Sequence, residues 1–420
     1  MISDAVERLG ETGDTRKILN AAAVRDRAHM LLEAGLSDDL KHFSLNLEAL
    51  EPTAERVLEI TKKAYPDLQI PFHARWRHFE TGGIDRWTMI GAARRWSELR
   101  QMGRAAFDLV IASVLLDAGA GADWRYEEEV SGQTYRRSEG LAVASVGMFM
   151  SGYFSGDPMD PFRCDAGTLS LLTAKEVASG FQVGPNNPMI GLEGRAGLLR
   201  KLGDVCTLRE DLFASEDDAR PGGLFDVLFN EASEQDGMLA APRILEVVLE
   251  ALGPIWPGRV KLNDVNLGDT WLHSGIEIDD ATRGLMPLHK LSQWLSYSLM
   301  EPLVWSGVRV LEVDGLTGLA EYRNGGLFID SGVLSLKNKD QLMQSHEIGS
   351  ELVVEWRALT VALLDRIADI VRKKLDVDEQ QLPLACVLEG GTWAAGRQIA
   401  QEKRADGGPP LSLVSDGTVF

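Results

Sequence analysis

The spacing of apolar residues along the chain follows a helical period in most segments. Between residues 16 and 34, apolar and charged residues alternate at intervals of three and four, after Asp14 as a candidate N-cap. Residues 104–117 and 138–151 are apolar on nearly every side, which is typical of buried helices. Helices are predicted over residues 16–34, 52–64, 104–117, 138–151, 241–252, 288–304, 351–375 and 392–404.

Strand patterns are few in this chain. The best lies at residues 319–330, where Asn324-Gly325 sits between two short runs, as the type I′ turn of a β-hairpin requires. We therefore predict a mainly α fold with a small β component.

The length of 420 residues exceeds one ordinary hydrophobic core. One globular unit over residues 1–420, or two intimately packed helical subdomains, are the options. The acidic stretch at residues 214–223 contains Pro and Gly, and it is the best candidate for a junction between subdomains.

The composition excludes several classes of protein. A net charge of −20 argues against a nucleic-acid partner held by a general electrostatic footprint. The N-terminus has charges and no apolar run, and no apolar stretch is long enough to span a bilayer, so we expect neither a leader nor a membrane. Cys164, Cys206 and Cys386 are odd in number and far apart, which fits a reducing compartment. We expect a soluble, cytoplasmic protein.

Residues 71–87 are the segment richest in functional residue types. Arg75, Arg77 and Arg86 lie there among two histidines and two tryptophans, one of which is Trp76. Arginine supplies planar forked donors and tryptophan supplies a flat wall, so the segment suits a small anionic or polyhydroxylated ligand. The alternative is a salt-bridged corner with structural tryptophans.

A turn of small residues follows the predicted helix at 104–117. Its Gly-x-Gly follows a helix instead of opening one after a strand, so we reject a dinucleotide site and interpret the glycines as a helix end. Asp117, Asp123 and Trp124 remain candidates for recognising hydroxyl groups.

A second glycine-containing turn, residues 191–197, precedes an apolar helical run. Exposed amides at a helix start, with Arg195 and Glu193 beside them, make a candidate phosphate cradle.

Two neighbouring segments combine carboxylate, imidazole and indole groups. Asp269 and Trp271 lie in the first, and His289, Lys290 and Gln293 in the second. Because His289 and Gln293 are four apart, they share one helix face, which is either a solvated side or a pocket wall.

The predicted hairpin tip carries Glu321 and Arg323. An ion pair across the hairpin is the structural interpretation, and a substrate contact is the functional one.

Familiar catalytic motifs are missing from the sequence. It has no Gly-x-Ser-x-Gly elbow, Walker loop or His-Glu-x-x-His motif, and we expect no metal and no cofactor. Carboxylates, arginines and aromatic residues remain. That inventory suits sugar chemistry, where an oxocarbenium-like transition state needs a carboxylate near the anomeric carbon and an acid for the leaving group.

A resemblance rests on seven strings that occur in order: His73-Ala-Arg-Trp-Arg-His-Phe-Glu, Asp117-Ala-Gly-Ala-Gly-Ala-Asp-Trp, Gly191-Leu-Glu-Gly-Arg, His289-Lys-Leu-Ser-Gln-Trp-Leu, Glu321-Tyr-Arg-Asn-Gly-Gly, Val354-Glu-Trp-Arg-Ala-Leu-Thr and Ser415-Asp-Gly-Thr-Val-Phe. Together they resemble the uracil-catabolism protein 4 family, long carried as a domain of unknown function. The resemblance implies a role in a uracil route with ribosylated intermediates that releases urea. The step left unassigned there is cleavage of a ribosylurea, or its phosphate, into urea and a ribose product.

A more distant resemblance links residues 124–155 and 289–333 to the queuosine-salvage N-glycosidases. It implies a helical architecture related to the helix-hairpin-helix DNA glycosylases. Aligned on Gln293, that family's Asp-Tyr-Arg-x-Pro-Gln string places Lys290 at its Arg and Leu288 at its catalytic Asp. Since the carboxylate is not in place, Asp269 is the substitute candidate and Glu321 the second.

The leading hypothesis is an N-glycoside hydrolase acting on a ribosylurea-type substrate, with the 5′-phosphate as the expected form. Asp269 would stabilise charge at C1 or activate water, and His289 or Glu321 would protonate or orient the urea. The expected substrate and phosphate contacts are Arg75, Arg77, Arg86, Arg195, Lys290, Gln293, Arg323, Trp76, Trp124, Trp271, Asp117, Asp123 and Glu193.

Two alternatives stay open. One is a non-catalytic subunit that channels an intermediate from the ring-opening, cyclohydrolase-like enzyme of the pathway, which would then be a partner. The other is a metal-dependent amide hydrolase that cuts the ureido group.

Overall fold

The computed structural model describes residues 13–214, 218–257 and 259–414. The string from Ser415, residues 1–12 and residues 215–217 of the predicted junction lie outside this description. The longer helices are α2 (Ala21–Leu36), α3 (Leu50–Ala64), α5 (Arg86–Arg94), α6 (Leu99–Leu115), α7 (Arg137–Met150), α10 (Leu192–Leu208), α12 (Gly223–Glu234), α13 (Ala241–Leu252), α14 (Lys290–Trp305), α15 (Tyr322–Asp330), α16 (Glu351–Leu375) and α18 (Trp393–Lys403). The shorter ones are α1 (Gly13–Arg16), α4 (Arg75–Phe79), α8 (Ala166–Leu171), α9 (Ala174–Gly180), α11 (Glu210–Phe213) and α17 (Leu384–Val387).

The prediction of a mainly α fold with a small β component is confirmed. The predicted helices at 241–252 and 351–375 match α13 and α16 in both bounds, and the other six are shifted by a few residues at their ends. The predicted N-cap of the first long helix is wrong. Asn20 caps α2, because its side-chain oxygen accepts a hydrogen bond from the backbone N–H of Ala23 at 2.8 Å.

Helix α16 lies at the centre of the molecule. Nearly all its residues from Leu352 to Leu364 are buried, and it packs against α2, α3 and α15. Fully burying an aliphatic side chain contributes roughly 1.5–3 kcal/mol, so this helix is a main source of hydrophobic stabilisation. Helix α6 is a second largely buried helix that contributes hydrophobic stabilisation, and it packs against α7 and α14. One cluster of buried apolar residues extends from Ala21 to Leu411.

The strands are short and form two-stranded pairs. The antiparallel pairs are β1 (Phe43–Leu45) with β10 (Leu334–Leu336), β2 (Tyr126–Glu128) with β3 (Gln133–Tyr135), β5 (Lys261–Leu262) with β6 (Val265–Asn266), and β7 (Thr270–Leu272) with β8 (Leu285–Pro287). The parallel pairs are β4 (Met238–Ala240) with β9 (Arg309–Leu311) and β11 (Ser345–Glu347) with β12 (Ser412–Val414). These pairs fasten loops between helices and do not form a separate sheet layer.

A buried ion pair connects α6 to the segment after residue 218. Asp108 of α6 is fully buried, and Arg220 donates hydrogen bonds to its carboxylate. The same carboxylate accepts the backbone N–H groups of Cys164 and Gly222. An unpaired carboxylate at this depth would be strongly destabilising, so Arg220 and the two backbone N–H groups compensate the buried charge of Asp108.

The predicted hairpin at residues 319–330 is wrong, because Tyr322–Asp330 forms helix α15. The carboxylate of Glu321 accepts the backbone N–H groups of Arg323 and Asn324 and so caps the helix. Gly325 is required by packing and not by a turn. A Cβ atom there would lie 2.8 Å from the Trp356 ring and 2.9 Å from the Thr360 hydroxyl of α16.

We expect Gly325→Ala to lower the free energy of unfolding by about 1–3 kcal/mol, because the added methyl group overpacks the contact with α16. Gly194→Ala is the matched control. Gly194 lies in α10 with no atom near its missing Cβ, so alanine should stabilise the protein by about 0.5–1 kcal/mol. Chemical denaturation measures both changes, and equal effects would contradict the packing argument.

Candidate functional site

Titratable and aromatic side chains from distant parts of the chain come together around Lys290. We call this group of side chains the Lys290 cleft. Its members come from the region of α4, the end of α6, the start of α14, the cap of α15 and a π-helical turn, Leu388–Thr392, before α18. They are His73, His78, Asp117, Lys290, Trp294, Glu321, Glu389 and Trp393.

Lys290 is the first residue of α14, and its Nζ lies 5.8 Å from the ring centroid of Trp294, one turn further along. Among the residues that the structure describes, this ammonium group has no hydrogen bond and no ion pair. Burial lowers its pKa, and the negative charges of Glu321 and Asp117 only partly oppose that effect. The surroundings of Lys290 therefore favour its neutral amine over the ammonium form.

His78 is a neutral donor in the same cleft. Nη1 of the buried Arg75 donates to Nδ1 of His78 at 3.2 Å and to the Asp117 carboxylate at 2.8 Å. A guanidinium group can only donate, so Nδ1 accepts and the ring proton lies on Nε2. Burial, assisted by the charge of Arg75, lowers the pKa of His78 to about 4, which keeps the imidazole neutral at pH 7. Its ring also meets Trp294 edge to face, with centroids 5.6 Å apart.

His73 and Glu389 form an oriented dyad. Nδ1 of His73 lies 2.7 Å from the Glu389 carboxylate, which also accepts a hydrogen bond from the Tyr65 hydroxyl at 3.3 Å. Burial acts to raise the pKa of Glu389, but the hydrogen bond and charge of His73 outweigh it, and the pKa lies below its usual value. The ionised Glu389 therefore accepts a hydrogen bond from the Nδ1–H of His73, which leaves Nε2 available for proton transfer.

The π-helical turn that carries Glu389 fits tightly against α3. A Cβ atom on Gly391 would lie 2.5 Å from the Thr61 hydroxyl and 2.6 Å from the Val57 carbonyl oxygen. Turns of this kind occur often at functional sites. Here the turn brings Glu389 to His73, so its glycine serves the geometry of the cleft.

Glu321 provides the carboxyl group that faces both Lys290 and His73. Burial raises its pKa, while the N–H groups of Arg323 and Asn324, each donating at 2.6 Å, work in the opposite direction. Lys290 and His73 are the next charges that act on it. A carboxyl group with a raised pKa next to an oriented imidazole is suited to acid–base work.

A further sign of a ligand site is a donor without a partner. Trp294 is almost fully buried, and its Nε1–H has no hydrogen-bond partner within the described ranges. The Asn324 side-chain amide is in the same condition. Buried polar groups are nearly always hydrogen-bonded in folded proteins, so groups left open beside a cleft require an explanation.

Asp269 lies in a clamp and not in the open cleft. Arg357 of α16 donates to both carboxylate oxygens, at 2.7 and 2.8 Å, and Trp271 Nε1 donates to one of them at 2.7 Å. The other oxygen accepts the backbone N–H of Lys290 at 3.0 Å. Burial acts to raise the pKa of Asp269, but Arg357 outweighs it and the pKa is lowered. The geometry gives Asp269 a positioning part, since it fixes the start of α14 and with it Lys290.

His289 lies beside the same clamp, away from the Lys290 cleft. Its Nε2 is 3.1 Å from the carbonyl oxygen of Ile18, and burial lowers its pKa. The cavity next to His289 and Asp269 has a volume of only about 20 Å³. That is room for about one water molecule and not for a ribosylurea.

The predicted phosphate cradle around Arg195 is corrected by the structure. Arg195 is buried, and its guanidinium donates to the carbonyl oxygens of Leu116, Ala118 and Ile190. Three of its five N–H groups are therefore engaged in joining α10 to the end of α6. Glu193 is exposed and pairs with Arg200 at 2.6 Å.

Two of the three arginines in the dense segment are also structural partners. Arg86 makes two 2.6 Å hydrogen bonds to the Glu128 carboxylate, and Arg77 pairs with Glu301 at 2.9 Å. Only Arg75 reaches the Lys290 cleft, through His78 and Asp117. The salt-bridged corner is thus the better interpretation for Arg77 and Arg86.

The predicted tryptophan wall is corrected as well. Trp76 and Trp124 are buried in the core, where each indole N–H donates to a backbone carbonyl group, that of Ser298 or Phe181. Trp271 belongs to the Asp269 clamp. Trp294 and Trp393 are the indoles that line the cleft.

The remaining predicted substrate contacts, Gln293, Asp123 and Arg323, are not members of the Lys290 cleft. Gln293 is buried and exchanges hydrogen bonds with Thr317, so its helix face is a core face. Asp123 is exposed. Arg323 donates to the Gly407 carbonyl oxygen at 2.7 Å and stacks on Tyr322, beside the cap that Glu321 forms.

The sequence analysis missed His73, His78, Glu389 and Trp294 as site residues. Both histidines belong to the dense segment at 71–87, so the composition of that segment carried the signal. Glu389 opens a Glu-Gly-Gly-Thr-Trp string whose two glycines indicate close packing. Trp294 lies one turn after Lys290, which was the available signal for that residue.

Two features are absent from the residues that the structure describes. No group of three or more His, Cys, Asp or Glu side chains is arranged there to hold a metal ion. Within the same ranges, no helix has the length and apolar character that crossing a bilayer requires.

The fold and the site together define a mainly helical protein in which buried and half-buried polar side chains meet around Lys290. The chain matches the family described as "Protein of unknown function (DUF1688)" over residues 17–420, and it belongs to that family. Protein urg3 of Schizosaccharomyces pombe is 37% identical over 421 residues, which cover 97% of this chain and 100% of that protein. "Uracil catabolism protein 4" of Lachancea kluyveri is 36% identical over 411 residues, or 90% and 92% of the two chains.

We expect Asp269→Asn to lower the free energy of unfolding by roughly 3–5 kcal/mol, because it leaves the buried Arg357 without its counter-charge. Asp123→Asn, at an exposed position, should change it by less than about 0.5 kcal/mol. Chemical denaturation of both variants tests the clamp. A fully stable Asp269→Asn protein would show that the pair does not fasten α14 to α16.

The His78 environment predicts a pH dependence of stability. Because the pKa falls from 6.5 to about 4 on folding, the unfolded chain binds a proton between these values that the folded protein does not. The free energy of unfolding should therefore decrease as the pH is lowered from about 6.5 to about 4, and this contribution should be constant below that. In His78→Gln the decrease should be shallower. Equal slopes for the two proteins would argue against a neutral His78.

Proposed function

We propose that this protein acts in uracil catabolism as an N-glycoside hydrolase, and that the Lys290 cleft is its active site. The substrate class is a ribosylurea, with the 5′-phosphate as the expected form, and the products are urea and ribose or its phosphate. The relative named "Uracil catabolism protein 4" supports the pathway. The observation that carries the reaction is Glu321, a carboxyl group of raised pKa between Lys290 and the Glu389-held His73.

Hydrolysis of an N-glycoside passes through a transition state with positive charge at C1 of the sugar. A carboxylate must stabilise that charge or activate water, and an acid must protonate the departing nitrogen. Each Glu321 oxygen accepts one backbone N–H and keeps a further lone pair. Glu321 therefore takes the first role in place of Asp269, which is held by Arg357, Trp271 and the Lys290 N–H. His73 takes the second, since Glu389 holds Nδ1 and leaves Nε2 for the leaving group.

Two neutral donors recognise the substrate without adding charge. They are the Nε2–H of His78 and the Nε1–H of Trp294. Urea has a strong carbonyl acceptor and ribose has hydroxyl groups, so both donors find partners on a ribosylurea. A buried donor that gains its first partner on binding also gives specificity, because an analogue lacking the acceptor would leave it unsatisfied.

The phosphate group of the expected substrate would lie at the rim of the cleft. Arg397 stacks on Trp393 with 5.5 Å between its guanidinium carbon and the ring centroid, and it contacts Glu139 at 3.3 Å. Arg137 is exposed at the start of α7 and close enough to affect the pKa of Tyr322. The two guanidinium groups would bind phosphate oxygens through charge-assisted hydrogen bonds.

The test is proton NMR of the pure protein with ribosylurea and, separately, its 5′-phosphate. Free urea and a ribose anomeric signal are expected, and the faster substrate identifies the phosphorylation state. Glu321→Gln should lower kcat about 10²–10⁴-fold, because the amide cannot accept a proton or carry charge. It also removes one cap bond, worth about 1 kcal/mol, so its fold is checked by thermal melting.

Glu193→Gln is the matched control, since Glu193 is exposed and outside the cleft. It should retain wild-type turnover. Wild-type turnover by Glu321→Gln would contradict the assigned role. Line broadening of the substrate without any product would instead favour a subunit that binds and channels the intermediate, and activity abolished by chelators would favour an amide hydrolase.

A further inference from the structure

We propose that Lys290 is the nucleophile of the reaction, and that its Nζ forms an imine with C1 of the ribosyl group as urea departs. This inference rests on the proposed function and adds a covalent intermediate to it. Lysine amines form such intermediates with sugar carbonyl carbons when they are desolvated in a protected site.

The first observation is that Lys290 differs from the cations around it. Arg75 is paired with Asp117 and Arg357 with Asp269. Among the described residues, the Lys290 ammonium has neither an ion pair nor a hydrogen bond, although the charges of Glu321, Asp117 and Asp269 act on it. Lys290 is half-buried, and its Nζ lies over the Trp294 ring. An amine that no carboxylate holds keeps its lone pair available for a reacting carbon once it is neutral.

The second observation is that separate contacts position the backbone and the side chain of Lys290. Its backbone N–H donates to Asp269 at 3.0 Å, and Asp269 is itself clamped by Arg357. Its Nζ lies near the Trp294 ring, which also contacts His78. A nucleophile must be positioned before the substrate arrives, and this arrangement fixes the amine beside the donors assigned to the urea and ribose groups.

The charged groups that act on Lys290 come from several elements. They are Glu321 before α15, Asp117 after α6, Asp269 before α14 and Arg357 of α16. Burial, the largest influence, lowers the pKa of the amine, Arg357 acts in the same direction, and the three carboxylates oppose them. The outcome is a larger fraction of neutral amine near pH 7, which supports the geometric argument.

The chemistry balances without an oxidant or reductant. The lone pair of neutral Nζ attacks C1, the bond from C1 to the urea nitrogen breaks, and His73 gives that nitrogen a proton. The bond from C1 to the ring oxygen then opens, a proton passes from Nζ to that oxygen through Glu321, and a protonated imine remains. Water adds to C1, the bond from C1 to Nζ breaks, and the excess proton returns to His73. The sum is ribosylurea plus water giving the open-chain aldose plus urea.

Borohydride trapping tests the proposal directly. The full-length protein is incubated with ribose 5-phosphate or ribose, reduced with sodium borohydride, digested and mapped by mass spectrometry. A reduced sugar adduct is expected at Lys290, saturable by sugar and well above the level on exposed lysines such as Lys175. Lys290→Arg keeps the charge and should lose the adduct, together with at least about 10²-fold in urea release. Lys175→Arg, with an unchanged melting curve as reference, should lose neither.

The possible outcomes separate this inference from the proposed function. Urea release without an adduct at Lys290 leaves hydrolysis standing and overturns the lysine nucleophile. An adduct at Lys290 without urea release supports the reactive amine and overturns hydrolysis of ribosylurea. Absence of both overturns both. Because the adduct is mapped in the wild-type protein, the test remains decisive even if Lys290→Arg folds poorly.

Discussion

The guanidinium group of Arg357 connects the two parts of the cleft, which are the start of α14 with Lys290 and the start of α15 with Glu321. Its terminal nitrogens clamp Asp269, which bonds the first N–H of α14 at Lys290. Its Nε donates to the carbonyl oxygen of Ala320 at 3.1 Å, one residue before Glu321. One buried side chain from the central helix therefore ties the backbone at Lys290 to the backbone just before Glu321. The separation of these two backbone segments is set by core packing.

Charge is distributed unevenly in this acidic chain. Most buried arginines outside the cleft donate to carboxylates or to carbonyl oxygens, as Arg86, Arg195 and Arg220 do. Arg27 is an exception, because it donates to the Thr282 hydroxyl while its Nε and Nη1 have no partner among the described residues. The cleft combines a lone ammonium, a neutral imidazole and a carboxyl group of raised pKa. The pKa of the Lys290 amine is lowered and that of the Glu321 carboxyl group is raised, which suits proton transfer, whereas paired groups keep their charge. Most of the framework thus differs from the site in pairing and not in residue type.

The sequence predicted helices well where the apolar period is long, as in α13 and α16. It failed at residues 319–330, because Asn324-Gly325 carries a local turn signal that packing of Gly325 against Trp356 overrides. The sequence singled out Lys290, Glu321, Asp117 and Arg75, which the structure brings together, but residue chemistry did not separate them from arginines such as Arg195. Residue chemistry shows which side chains are able to bind an anion, while only the fold shows which of them are already satisfied by a partner.

The residues of the cleft are far apart in the sequence, and this affects how the protein folds during its synthesis. Its side chains come from His73 near one end to Trp393 near the other, and β1 pairs with β10 across a similar distance. Contacts of such long range form late and slowly, since most of the chain must be ordered before they close. A nascent chain therefore lacks the cleft until α18 has emerged and docked. Until α18 has been made, many apolar residues of the future core remain exposed, and they have to be protected from aggregation.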